Sequence, residues 1–170
     1  MPSSPLAPLY RACLWLAGLF MIALLVTILV SIAGRQFGFY LRGLDAYSGY
    51  CMAAASFLAL AGTFVRGDHI RVTLIISRFS GTPRRGFEIF CLVLAILASG
   101  AFAFYSVKMA WWSYKFHDIS SANDATPMWI PQIGMALGTV VFCIAFIEEF
   151  VLVLRGKVPG SDSSEIAHTE

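Results

Sequence analysis

The chain has 170 residues, 58% hydrophobic and 13% charged, with a net charge of +2 and a mean hydropathy of +0.75. A soluble domain carries roughly 25% charged and about 45–50% apolar residues, so this composition excludes one and points to an integral membrane protein. The small net charge gives no footprint for nucleic acid, and the basic residues sit beside apolar runs, where membrane topology accounts for them.

Residues 1–10, MPSSPLAPLY, are rich in Pro and Ser and predict a flexible start. Ala12–Ala33 then form an uncharged run of 22 residues. A signal h-region needs about 7–15 residues and a membrane span about 20, so this run predicts a retained transmembrane helix with Trp15 near its inner interface. Arg35 is expected to stop it. In the outer connection that follows, Phe37, Phe39, Tyr40, Tyr47 and Tyr50 suit the interfacial aromatic belt. A second helix is predicted over Ala46–Val65. Its small residues, Ala55, Ala59 and Gly62 among them, let another helix approach closely and predict burial among protein neighbours.

A third helix is expected over Phe87–Val107, with Lys108 at its outer end and Trp111, Trp112 and Tyr114 as an aromatic anchor. The polar connection KFHDISSANDATP, Lys115–Pro127, should protrude from the outer face. The fourth helix is predicted over Met128–Leu154, with Pro127 as its starter and Pro131 in the first turn, where a missing N–H costs little. Gly134 and Gly138 give it a G-x-x-x-G spacing. Residues 1–155 thus read as one four-helix transmembrane domain, and the polar, Ser-rich residues 156–170 as a flexible cytoplasmic tail.

Between the second and third helices lies the most basic stretch, GTFVRGDHIRVTLIISRFSGTPRR, which holds Arg66, Arg71, Arg78, Arg84 and Arg85. Val72, Ile75, Ile76 and Phe79 recur on one helix face. That pattern predicts a short amphipathic helix over about residues 69–79, lying in the headgroup plane. The alternation Ile70, Val72, Leu74, Ile76 also fits a strand, but an isolated strand beside lipid leaves its edges unpaired. Lys and Arg favour the cytoplasmic side. With the N-terminus inside, Arg11, the five loop arginines, Arg155 and Lys157 fall on the inner side. Only Arg35, Arg42, Lys108 and Lys115 fall outside. Eight against four places both termini in the cytoplasm. The fold class expected is all-α, with four transmembrane helices and one in-plane helix.

Charged groups within spans are the first places to look for chemistry. Glu148 and Glu149 stand six or seven residues before Arg155, roughly 9–10 Å from the basic helix end and so near the inner interface. There they can meet Arg71, Arg78, a lipid or a partner subunit, or serve as a proton or ion site. Asp45 is close in sequence to Arg35 and Arg42, which fits a local ion pair or a contact with another chain. His69 and His117 fall in loops on opposite sides and cannot form a facing haem-ligand pair. Cys13, Cys51, Cys91 and Cys143 lie one in each apolar segment with no C-x-x-C spacing, and read as buried free thiols. With no nucleotide loop, triad or metal cluster in the sequence, an enzyme is not expected, nor a bound cofactor.

Several stretches together resemble the DctQ-type small membrane subunit of tripartite ATP-independent periplasmic (TRAP) transporters. They are Arg35, the acidic residue opening the second helix, FLALAGTFVRGDHIRVTLI (Phe57–Ile75) and ATPMWIPQIGMALG (Ala125–Gly138). The most specific pieces are R-x-x-H-I-R-V at Arg66–Val72 and P-x-W-I-P at Pro127–Pro131. The resemblance covers about residues 10–155. One departure is Asp45, where many members carry Glu: the charge is kept on a shorter side chain.

The resemblance implies a bacterial or archaeal inner-membrane protein that works beside a large, multi-spanning DctM-type subunit and a periplasmic substrate-binding protein. In such a system the large subunit carries sodium-coupled transport of organic acids, so coupling sodium belongs there. The small subunit scaffolds the large one and helps dock the binding protein. It implies periplasmic docking roles for Arg35, Arg42, Asp45, Trp129 and Gln132. Cytoplasmic partner or lipid contacts are implied for Arg66, His69, Arg71, Arg78, Arg84, Arg85, Glu148 and Glu149. Helix packing falls to Ala55, Ala59, Gly62, Gly134 and Gly138. Two other classes compete: a stand-alone proton-coupled exporter, and a membrane anchor of a respiratory complex. Such an exporter would be expected to carry a carboxylate within its first helix, and Ala12–Ala33 has none.

Overall fold

The computed structural model describes residues 6–39, 43–66, 82–122 and 125–155, without the side chains of residues 66, 82–85, 87 and 88. It is all-helical, with α1 (Ala7–Phe37), α2 (Leu44–Arg66), α3 (Thr82–Phe116) and α4 (Trp129–Leu154). Each contains a stretch long and apolar enough to cross a membrane. Among the described residues there is no strand, only an isolated bridge between Ile119 and Pro127. The predicted in-plane segment over residues 69–79 lies outside the described residues.

Four helix boundaries differ by four residues or more from those read in the sequence: α3 begins at Thr82, ahead of the predicted Phe87, and the other three have a local reason. α1 begins at Ala7, ahead of the predicted Ala12, with a proline in its first two positions; proline's fixed φ suits a helix start. Arg35 does not stop it. The charge sits in the last turn and complements the carbonyl end of the helix dipole, and the stop is Gly38, whose φ of 75° is left-handed. α3 runs nine residues past Val107 to Phe116. No Gly or Pro interrupts this stretch, and its side chains pair one turn apart: Lys108 lies 5.7 Å from the Trp112 ring centre, and Trp112 lies 5.5 Å from Phe116. His117, with φ of 54°, ends it. At about 1.5 Å per residue α3 is roughly 52 Å long. That exceeds the ~30 Å hydrocarbon, so the helix tilts or projects from it.

The packing order in space is α1–α2–α4–α3. α1 and α2 are antiparallel: Leu14 faces Gly62 near one end, and Ser31 faces Asp45 near the other. α2 and α4 run parallel, with Ala54 against Gly134 and Phe57 against Gly138, then Phe64 against Phe146. α3 and α4 are antiparallel, joined by Gly100 against Cys143 and by Tyr114 against Trp129. The core lies toward the Glu148 end, where Tyr10, Cys13 and Ala17 of α1 meet Leu58 and Ala61 of α2 and Val141 and Ala145 of α4. Small residues dominate it because the three backbones approach closely, which is how helices gain dispersion contacts in lipid.

α3 takes part differently. Its buried residues are Ser99, Ala103, Ser106 and Ser113, and almost every bulky side chain it carries is exposed. The hydroxyls of Ser99 and Ser106 donate to their own helix, to Ile96 and Phe102 carbonyls. The serines therefore act as small, satisfied packing residues.

Candidate functional site

Polar contacts gather at the two ends of the bundle. At the Arg35 end, Arg35 Nη2 lies 3.8 Å from Asp45 Oδ1, and the Ser31 hydroxyl donates to the same oxygen at 3.4 Å. These residues line a shallow cleft with Gly34, Phe39 and Leu44. The two charged side chains are 70% and 76% exposed, so water screens the pair and its loss should cost the fold no more than about 1 kcal/mol.

The connection after α3 is tied down beside this pair. The Ser120 amide donates to the Thr126 carbonyl at 2.9 Å, and the Met128 amide to the Asp118 carbonyl at 2.9 Å. Two tyrosines on the first turns of α2 grip the same loop. The Tyr50 hydroxyl donates to Ser120 Oγ at 2.8 Å, and Thr126 Oγ1 donates to the Tyr47 hydroxyl at 3.2 Å. Tyr50→Phe removes the first of these contacts. It should speed amide exchange at Ser120 and Met128 about fivefold, the effect of losing a contact worth about 1 kcal/mol. Exchange measured by mass spectrometry checks this, with the α4 amides beyond Ala136 staying at their native rate.

Trp129 packs edge-on against Tyr114. Gln132 is only 8% exposed, and its Oε1 has no hydrogen-bond partner among the described residues. The two residues expected to dock alongside Arg35 and Asp45 therefore sit within the bundle itself, while Arg35 and Asp45 stand in the open. Arg42 lies outside the described residues.

At the opposite end, the Tyr10 hydroxyl donates to Glu148 Oε2 at 2.6 Å and joins α1 to α4. Tyr10 is 3% exposed and belongs to the core. Phe64, Phe142 and Phe146 stack beside it, with centroids 4.3 Å apart for Phe64 and Phe146 and 4.7 Å for Phe142 and Phe146. Sequence reasoning took residues 1–10 as flexible and missed Tyr10. Nothing in a chain separation of 138 residues announces the pairing. His69, Arg71 and Arg78 lie outside the described residues, and of Arg66, Arg84 and Arg85 only the helical backbone is described.

The small residues also have definite places. Ala55 is buried, and Ala59 packs against the core. A Cβ at Gly62 would overlap the Leu14 side chain, and one at Gly138 would lie 2.5 Å from the Phe57 carbonyl carbon and oxygen. These contacts join helices of the same chain. The four cysteines are free: Cys13 is buried, Cys51 and Cys143 half-buried. Cys91 departs from the expected burial and is exposed on α3, whose buried residues among those described are three serines and Ala103.

No group of three or more metal-ligating side chains occurs among the described residues. The arrangement is that of a helical scaffold with a polar patch at one end and an interhelical clamp at the other. No curated protein sequence matches the chain. The family model for the DctQ component of tripartite ATP-independent periplasmic transporters matches residues 24–156, which take in three of the four helices whole and the second half of α1. The chain therefore belongs to the DctQ family and is the small inner-membrane component of a tripartite transporter.

Proposed function

We propose that this chain is the auxiliary subunit of a sodium-coupled secondary transporter for organic acids. It scaffolds the large DctM-type subunit in the bilayer and helps dock the periplasmic substrate-binding protein. The observation that carries this reading is the family match across residues 24–156 of a chain built from four apolar helices. Substrate capture and sodium coupling then belong to the other two components, and this chain supplies rigidity and surface. With the termini in the cytoplasm, as the arginine distribution favours, the Tyr10–Glu148 clamp lies at the inner interface. The Arg35–Asp45 pair then lies on the periplasmic side, beside the loop held by Tyr47 and Tyr50. Its exposed charges suit a soluble partner that comes and goes, because exposed complementary charges govern encounter more than fold stability.

Two measurements test this. Purification in mild detergent should recover the chain with one large multi-spanning protein at equal stoichiometry; recovery as a lone homodimer overturns the scaffold role. Arg35→Ala and Asp45→Ala should each lower substrate uptake in proteoliposomes severalfold while the membrane complex stays intact. The exposed pair contributes so little to the fold that a transport defect reports docking. Uptake equal to wild type in both variants removes the docking role.

A further inference from the structure

At the Arg35 end of the bundle α3 carries two cations, Lys108 and Lys115, among Trp111, Trp112 and Phe116. Positions three and four apart are neighbours on a helix surface, so these five share one face, and all five are exposed. Lys108 lies 5.7 Å from the Trp112 ring centre, which keeps its ammonium on that face. Among the described residues neither lysine has a carboxylate within ion-pair distance, whereas Arg35 at the same end has Asp45. The first carboxylate after them in the chain, Asp118, lies past the helix end at His117.

The face straddles the edge of the hydrocarbon. Ile89–Val107 is an uncharged run of 19 residues, about 28 Å of helix, which matches the ~30 Å hydrocarbon. Lys108–Lys115 then cover about 10 Å through the headgroup layer. Both long side chains can bring their ammonium to the phosphate level, Lys108 from the hydrocarbon side and Lys115 from the water side. Leu97 and Phe104, both 64% exposed, lie below them on a helix at the edge of the bundle. Aromatic rings alone fit any interfacial belt; two cations without a carboxylate among them call for an anion. A soluble acidic partner could reach Lys115 but not the hydrocarbon below Lys108, so the anion that fits the whole face is itself seated in the membrane.

We infer that this face holds an acidic phospholipid, its phosphodiester between Lys108 and Lys115 and its acyl chains along Leu97 and Phe104. A zwitterionic lipid brings its own ammonium to the phosphate and gains less from the lysines. Each basic residue near an acidic headgroup favours it about fivefold, and salt screens that preference. The site does not depend on the proposed partnership with the large subunit.

The test places a photoreactive benzoylphenylalanine at Phe104, below the lysines, or at Leu19 on exposed α1 as a reference. The full chain is co-expressed with its large membrane subunit and irradiated in native membranes. It is irradiated again in vesicles of dioleoylphosphatidylcholine with a minor share of dioleoylphosphatidylglycerol, and adducts are weighed by mass spectrometry. The expected adduct at Phe104 is phospholipid in both settings. In the vesicles phosphatidylglycerol should be enriched at least about fivefold over its share at Leu19. Lys108→Gln with Lys115→Gln should return that ratio to one, and Lys108→Arg with Lys115→Arg should keep it. Equal ratios at the two positions in the native sequence overturn the inference, as does an enrichment that survives the double glutamine variant. Adducts at Phe104 chiefly to the large subunit, to another protein or to a second copy of this chain overturn it as well.

Discussion

Gly138→Ala is expected to destabilise the chain more than a methyl group added at any other described glycine that faces a neighbouring helix. A Cβ there would meet the carbonyl carbon and oxygen of Phe57 at 2.5 Å and its Cβ at 2.8 Å. Two of these three atoms are backbone, held by α2's own hydrogen bonds, so no rotamer change relieves the overlap and α4 must move off α2. Forced overpacking of this kind costs about 1–3 kcal/mol. Separating the helices also opens the contacts on both sides of Gly138, between Ala54 and Gly134 and between Phe64 and Phe146. Other glycines calibrate the result. Gly62→Ala meets only the branched end of Leu14, which can turn away, and Gly134→Ala brings a Cβ 3.0 Å from that of Ala54; both should cost less. Gly18→Ala meets nothing within 4 Å and should be neutral or gain up to about 1 kcal/mol from helix propensity. Thermal unfolding of the purified complex gives the order. Gly138→Ala with the stability of Gly18→Ala would show that α2 and α4 do not touch as described.

That experiment also marks what could be read from the sequence and what could not. Four spans follow from uncharged runs long enough for the hydrocarbon, a signal each segment carries alone. Gly134 and Gly138 were legible as a close-packing pair for the same reason, since small residues four apart present one flat face whatever meets it. The identity of what meets it is a pairwise fact: Phe57 lies 81 positions from Gly138, and no local pattern names it. The same limit hid Tyr10. Its neighbours in sequence suggest a loose tail, whereas its burial is set by Glu148 arriving from the far end of the chain. The end of α3 was misplaced for a different reason. Lys108 was taken as the edge of the membrane, but its side chain reaches over Trp112 one turn on, and a long amphipathic side chain can sit on a helix that continues past it. At the candidate site, Arg35 with Asp45 was readable because ten residues separate the partners. The tyrosine grip on the 117–128 loop was not.

Tyr10→Phe is the second substitution expected to carry a large effect, and it isolates one bond. The ring stays and continues to fill the core between α1, α2 and α4, while Glu148 loses the donor that sits 2.6 Å from its carboxylate. Hydrogen bonds to charged groups contribute about 1.5–3 kcal/mol, and a part-buried acceptor left without its donor bears the desolvation cost besides. Glu148→Gln should be milder, because an amide oxygen can still accept from the tyrosine hydroxyl. The pair Tyr10→Phe and Glu148→Leu closes a double-mutant cycle. If the bond is what joins α1 to α4, the double variant will be more stable than the sum of the singles predicts, by about 1 kcal/mol or more, because neither polar group is left behind without the other. Additivity to within about 0.3–0.5 kcal/mol would mean that the two residues act separately. α1 would then be held by its small-residue contact with α2 alone. The cycle bears on function because Leu14 and Gly62 fix only how close α1 comes to α2. The Tyr10–Glu148 bond joins it to α4 and so ties the scaffold together across the bundle. A weakened clamp should therefore lower the yield of the large subunit recovered with the chain, whereas loss of the exposed Arg35–Asp45 pair should leave that yield unchanged.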